Sequence, residues 1–192
     1  MAEVLEKVRI ASDISTAGIE RVTMKYLNDV EWDDLFKNTK QISVFISYGS
    51  SSRKFHWINL QAFAATRGNK FRLFLPDPDD DPTMALLAKR YDSTLDKVRN
   101  LVREAAEEFA ELGKSSRADI RIYYRAGDPT YACYHFGAKV LITLYSNRRA
   151  RGDVPTILVG SGTLRDFFTQ DLVAIEKQSR EIPLDSLVGG TK

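Results

Sequence analysis

His135 carries the side chain best suited to chemistry. It sits in Tyr131-Ala132-Cys133-Tyr134-His135-Phe136, four positions before Lys139. An imidazole can serve as nucleophile or general base near neutral pH. On an unbroken strand, residues an even number apart share a face, so His135 and Lys139 would stand together. A tight turn at Gly137-Ala138 would separate them. The two form the candidate catalytic pair, set against the plainer reading of His135 as a hydrogen-bonded structural group at a strand end. Cys133 has no assured basic partner and reads as an inert buried thiol. His56, beside Trp57, reads as the partly exposed side of a helix.

Three loops directly follow predicted strands, where open α/β sheets bind ligands. In Gly49-Ser50-Ser51-Ser52-Arg53-Lys54, the hydroxyls of Ser50 and Ser51, free N–H groups opening a helix and the Arg53 cation suit an anion such as phosphate. The competing reading is a serine cap with solvated charges. The second loop, Pro76 to Pro82, clusters Asp77, Asp79, Asp80 and Asp81. Such oxygens suit Mg²⁺ or Ca²⁺, but the spacing is not that of an EF-hand and prolines alternate with the carboxylates. A solvated stop capped by Asp81 or Thr83 is preferred, and no metal is assigned. Asp77 is kept as a binding candidate. The third loop, Gly160-Ser161-Gly162-Thr163, offers close backbone approach and a helix N-terminus, with Ser161 and Thr163 as candidates. It lacks a Walker lysine and a full dinucleotide spacing.

Tyr123, Tyr124, Tyr131 and Tyr134 lie close to Arg121 and Arg125. That mixture suits stacking on a base, with Tyr134 and Arg125 as candidates; cross-strand packing is the simpler reading. Arg148, Arg149 and Arg151 form a basic loop that gives weak support for phosphate contacts.

Elements must position these groups. Gln41 to Tyr48 is an uncharged β-branched and aromatic run and predicts a central strand. Helical spacing follows from Phe55 to Phe63. Asn69 to Leu75 predicts a second strand, stopped by the three prolines. Thr83 to Leu112 reads as one long amphipathic helix ending at Gly113. Extended segments follow at Asp119–Tyr124, Tyr131–Phe136, Lys139–Tyr145 and Val154–Val159, then a helix to about Arg180. Glu31 to Phe36 is a short helix; residues 1–30 are mixed, with VLEKVRIA fitting a short strand or a helical turn and Gly18 to Val22 a short extended piece. The crossovers in the first half demand parallel strands and the hairpin spacing in the second half antiparallel ones. The expectation is an α/β fold with a mixed, mainly parallel central sheet and helices on both faces. It forms a single domain: residues 1–38 are an extension or a first strand and helix, 39–182 the core, and 183–192 a frayed tail.

Composition bounds the function. The 192 residues carry 28 Lys and Arg against 26 Asp and Glu, a net charge of +2. That is too little to argue for nucleic acid. One cysteine excludes a disulfide framework or a cysteine zinc site, and two histidines leave little for a metal centre. No cofactor is expected. No apolar run approaches the ~20 residues of a membrane span, and the charged N-terminus is unlike a secretory signal. A cytoplasmic protein without membrane contact is expected.

Residues 41–181 resemble the phospholipase D-like superfamily, in its branch without the catalytic histidine-lysine-aspartate motif. The carrying segments are QISVFISYG, FRLFLPDPDDDP and the long helix after it, IRIYYRAGDPTYACYHFGAKVLITLYS, and VPTILVGSGTLRDFF. Catalytic members space the motif as His, one residue, Lys, four residues, Asp; the histidine attacks phosphorus and the lysine holds the phosphate. Here three residues separate His135 from Lys139 and no aspartate follows at that spacing. Ser146-Asn147, or Gly160-Ser161, faintly match the Gly-Ser-x-Asn that follows the motif. The resemblance implies a degenerate fold with a phosphate- or nucleotide-sized pocket, a homodimer, and a bacterial regulatory or defence setting. VFISYGSSSRKF is also similar to the first box of Toll/interleukin-receptor-like domains, but the glutamate that NAD cleavage needs is absent between Glu31 and Glu104. The expected function is non-catalytic recognition of a phosphate-bearing ligand, nucleotide or partner protein. A phosphodiesterase or nuclease with His135 and Lys139 across a dimer is the alternative, and a Toll/interleukin-receptor-like nucleotide-binding or NAD-cleaving domain is the second.

Overall fold

The strand Gln41–Phe45 (β2) is uncharged, with Ile42, Val44 and Phe45 buried, and borders no turn until Tyr48-Gly49, so it belongs in the middle of a sheet. The computed structural model describes residues 2–146 and 153–188. The basic loop at Arg148, Arg149 and Arg151, Asn147, and the terminal Gly189-Gly190 lie outside the described residues. In chain order come α1 (Ala2–Ala17), β1 (Ile19–Thr23), α2 (Tyr26–Asp29) and α3 (Trp32–Lys37), then β2, α4 (Ser50–Ala64) and β3 (Lys70–Pro76). Next are α5 (Asp81–Arg90), α6 (Leu95–Lys114), β4 (Asp119–Arg125), β5 (Tyr131–Phe136) and β6 (Lys139–Leu144). The chain closes with β7 (Thr156–Val159), α7 (Thr163–Lys177), β8 (Arg180–Ile182) and α8 (Leu184–Leu187). Among the described residues no helix is long and apolar enough to cross a membrane.

The strands form one eight-stranded sheet, ordered β1-β7-β6-β5-β2-β3-β4-β8. It is mixed, but mostly antiparallel rather than mainly parallel. Only β2–β3 and β3–β4 are parallel, because only they are joined through crossover helices. Gly137 (φ 65°) opens the two-residue turn that pairs Phe136 with Lys139, and a hairpin of that kind forces β5 and β6 antiparallel. Two further antiparallel edges close the sheet, one from the extended segment expected at Gly18–Val22 and one from a segment without a strand pattern. β1 pairs with β7, so the first segment is part of the sheet. β8, read from sequence as the end of a helix, pairs with β4.

Helices cover both faces. On one, Trp32 and Leu35 (α3), Leu60 and Phe63 (α4), Met84 and Leu87 (α5) and the apolar side of α6 pack on Ile42, Val44, Phe71, Leu73 and Ile122. Phe109 of α6 stacks on Phe71 at 5.2 Å. On the other, Leu172 and Ile175 of α7 pack on Phe45, Phe74, Tyr123, Cys133 and Val140. Cys133 is fully buried and its thiol is pushed up by desolvation, so it stays protonated, as an inert residue should.

Three other expectations are corrected. The predicted helix from Thr83 to Leu112 is two, broken at Tyr91–Thr94. Asp92 takes the left-handed conformation (φ 48°), and Thr94 caps α6 by accepting from Lys97 N–H at 3.3 Å. Pro82 does not forbid helix. It lies in the first turn of α5, where a missing N–H costs nothing, and the cap is Asp80 rather than Asp81 or Thr83. The tail is not frayed where it is described, since Leu184, Leu187 and Val188 pack on the core.

Candidate functional site: a cleft above the strand ends

Since β5 runs against β2, and β6 against β5, the carboxyl end of β6 points the same way as those of β2, β3 and β4. Above β2 and β6 the chain opens a cleft of about 600 Å³. Its walls come from the segment after β2, the start of α4, the α5–α6 junction and the residues after β6.

The local sequence explains the shape. Ile46 N–H donates to Phe74 O at 3.2 Å as the chain leaves β2. Ser47 N–H donates to the Tyr145 hydroxyl at 3.0 Å, and the Tyr91 hydroxyl donates to Ser47 Oγ at 3.0 Å. Gly49 (φ 57°) then turns the chain into α4. Arg53 N–H is the first to bond along the helix, to Gly49 O at 2.9 Å. No side chain caps α4, so the N–H groups of Ser50, Ser51 and Ser52 lie ahead of the helical ladder at the cleft.

Two cations, the Asp153 carboxylate and a group of phenols complete the walls. Arg90 is fixed by an ion pair with Asp128 and a 2.7 Å bond to Pro129 O, with its guanidinium 5.2 Å from the centre of the Tyr145 ring. Lys97 stands exposed at the rim. The Tyr134 hydroxyl donates to Ser52 Oγ at 2.9 Å on the floor. Burial pushes the phenols of Tyr91, Tyr134 and Tyr145 up, so they remain neutral hydrogen-bonding groups at physiological pH. The cleft thus offers anion-binding donors and aromatic walls, with no nucleophile activated by a base among the described residues.

Of the residues expected to bind, Ser50, Ser51 and Tyr134 line this cleft. The others do not join them. Arg53 is buried beneath it, where Nε donates to Tyr48 O at 3.0 Å and the guanidinium pairs with Glu108 of α6. Asp77 is a fold latch; its carboxylate accepts from Asp79 N–H at 3.0 Å and from Arg180 at 3.1 Å. Its neighbours Asp79, Asp80 and Asp81 turn to Arg103, Thr83 and Arg99 respectively, so the four carboxylates diverge. Arg125 ends β4 on the other face of the sheet, bonded to Gln178 Oε1 at 3.0 and 3.1 Å and 6.0 Å from the Phe45 ring centre.

Ser161 and Thr163 lie at the opposite end of the sheet, because β7 runs against β6. Their turn packs on the junction between α1 and β1, where a Cβ at Gly162 would meet Gly18 N at 2.5 Å and one at Gly160 would meet the Glu20 carboxylate. These glycines serve chain packing, and Thr163 is the first helical residue rather than the cap, which is Gly162. Ser51, Arg125 and Ser161 therefore do not converge.

His135 and Lys139 are also apart. His135 faces Val140 across the hairpin, and adjacent strand residues point to opposite faces, so Lys139 lies on the other side of the sheet. His135 Nδ1 accepts from Gly137 N–H at 3.2 Å, and Nε2 lies 3.0 Å from Thr169 Oγ1, whose own proton goes to Arg165 O. Both ring nitrogens are satisfied, and burial with the Arg165 charge lowers its pKa. Lys139 pairs with Glu20 at 2.7 Å. Within one chain they form no joint site. His56 is likewise corrected: it is buried, 4% exposed, with its ring centre 3.9 Å from that of Trp32.

Sequence reasoning missed Ser47, Arg90, Tyr91, Lys97 and Tyr145. Tyr145 follows a strand as directly as Ser50 does, so the strand-end rule could have found it. Arg90, Tyr91 and Lys97 come together only through the α5–α6 break.

No protein-family model and no curated protein matches the sequence. Ten chains of solved structures match in fold. One is TrmBL2, described as an archaeal chromatin protein with a novel mode of DNA binding, at TM-score 0.45 and 10% identity. The match covers 94% of this chain and 62% of that one, so this chain spans about three fifths of that protein's length. At that identity and TM-score the likeness says nothing about a ligand.

Proposed function

We propose that this chain is a binding module that holds a phosphate-bearing small molecule, such as a nucleotide, in the cleft above β2 and β6. A phospholipase D-like origin without catalytic chemistry, and a bacterial regulatory or defence role, belong to the same proposal and rest on the sequence resemblance. One observation carries the reading. The uncapped first turn of α4, with Ser50 and Ser51, opens into the cleft that Arg90 and Lys97 also line. Aligned N–H groups and nearby cations favour an anion there. The phenols offer a ligand ring apolar contact and hydrogen bonds. The separation of His135 from Lys139 favours binding over turnover by one chain.

Thermal melts with inorganic phosphate, AMP and ATP test it. Ligand at 100 times its Kd stabilises the fold by about 2.7 kcal/mol, which raises Tm by roughly 5–10 °C at this size. The exposed substitutions Ser51→Asp and Lys97→Glu should each abolish the shift while leaving the ligand-free melt unchanged. No shift with any of the three probes, or a shift that survives both substitutions, overturns the reading.

A further inference from the structure

The cleft does not carry the same charge throughout. At one end, the N–H groups of the uncapped first turn of α4 suit an anion. At the other end stands Asp153, an exposed acidic residue just before β7. The sheet fixes its place. Leu144 N–H donates to Pro155 O at 3.0 Å, and the Thr156 hydroxyl donates to Val154 O at 3.3 Å. Asp153 and Val154 therefore run beside Tyr145 and Ser146, and all four residues line the cleft.

Strand order gives the distance between the two ends. From β2, which leads into α4, to β7 are three steps, by way of β5 and β6. At ~4.8 Å a step that is about 14 Å. Tyr145 spans two of those steps. It leaves the end of β6, and its hydroxyl accepts from Ser47 N–H, beyond β2, at 3.0 Å. Its ring thus lies across the middle of the cleft, with the Arg90 guanidinium 5.2 Å from its centre.

We propose, resting on the phosphate reading above, that the ligand is a nucleotide whose base carries an amino group at its outer edge, as adenine does. The phosphate sits on the first turn of α4, the base lies against Tyr145 and the amino group donates to Asp153. Charge sets this orientation, because a carboxylate repels a phosphate and accepts hydrogen bonds only from donors. Among the described residues that line the cleft, Asp153 is the only acidic one. Length selects the donor. Hydrogen bonds of about 3 Å at both ends, and one P–O bond, leave roughly 7–10 Å between phosphorus and the donor. Ribose hydroxyls lie only about 5–6 Å from phosphorus, whereas the amino nitrogen of adenine lies about 10 Å away, at bonds of ~1.4–1.5 Å.

Calorimetric titration of the full chain with inorganic phosphate, AMP and IMP tests it. IMP presents a carbonyl oxygen where AMP has its amino group, so Asp153 would face an acceptor instead of a donor. AMP should bind about tenfold or more tightly than IMP, a difference of about 1.4 kcal/mol. In Asp153→Asn, whose carboxamide both donates and accepts, the two should bind within about threefold of each other. Equal affinities for AMP and IMP in the wild type, or a preference that survives Asp153→Asn, would overturn the base assignment, while binding of phosphate itself would leave the anion site standing. Weaker binding of 2′,3′-dideoxy-AMP with no loss in IMP would give Asp153 to the ribose and overturn the assignment equally. No binding of any probe would overturn the phosphate reading, and the base assignment with it.

Discussion

At His56 both ring nitrogens are buried without a hydrogen-bond partner, and burial lowers its pKa to about 4 against a small opposing effect of Asp33. The folded state thus binds its proton less readily than the unfolded chain, whose imidazole titrates near 6.5. Stability from this group is complete above about pH 6.5 and is lost as pH falls toward 4, by on the order of 3 kcal/mol. His135, also lowered, adds to the same slope. Urea unfolding at pH 7 and pH 4.5 should show the fall, and His56→Leu should reduce it, since an apolar side chain of similar size leaves no orphan donor. An unchanged slope in His56→Leu would refute this account. Arg53 poses the opposite case. Arg53→Ala strands the half-exposed Glu108 and removes the Nε–H bond to the Tyr48 carbonyl. It should cost about 1–3 kcal/mol in a ligand-free melt. A loss of ligand response in that variant would therefore report damage to the floor of the cleft, not a lost phosphate contact.

Among the elements, the turn between β7 and α7 is the most tightly constrained. An added Cβ at Gly162 meets backbone atoms of Ala17 and Gly18 at 2.5–2.6 Å, and neither flexible side chains nor solvent can absorb the overlap. Gly68 has nothing within 4 Å, so alanine there meets only the strain of its positive φ. Gly162→Ala should lower stability by more than 2 kcal/mol and Gly68→Ala by about 1 kcal/mol. Equal melting temperatures for the two variants would show that the junction of α1 with the sheet is loose. The break between α5 and α6 is a second such point, and it brings Arg90 and Tyr91 to the cleft. Thr94→Ala should cost about 1 kcal/mol through the lost cap, with the ligand response weakened as Tyr91 loses its position.

For the whole molecule, order in the sheet sets a gradient of stability. β5 and β2 sit at its centre between two apolar clusters, whereas the three-residue β8 closes one edge. Native-state hydrogen exchange should find β2 and β5 amides opening only with global unfolding and β8 amides opening first. Equal protection in β8 and β2 would contradict the topology as the source of stability. The same layout divides the faces by task. The face covered by α3 to α6 carries the cleft, and the face covered by α7 carries the satisfied His135 and the exposed surface of α1.

Local sequence determined much of this. The β-branched and aromatic runs of β2, β3, β5 and β6, the Gly137-Ala138 turn and the serines opening α4 are legible because residue type and turn chemistry act between near neighbours. The α/β class and a mixed sheet follow from those elements and their connection lengths. What the chain alone could not reveal depends on direction and register. Lys139 leaves His135 because a two-residue turn flips the alternation, and Ser161 leaves Ser51 because β7 runs the other way. β8 carries no strand pattern, and the short extended segment of β1 gives no sign of its place beside β7, since an edge strand needs only one hydrogen-bonded side and shows water the other. Arg53 and Ser51 are two residues apart on one helix, about 200° around its axis, and only the packing of α4 on α6 decided which of them was buried and which met the cleft.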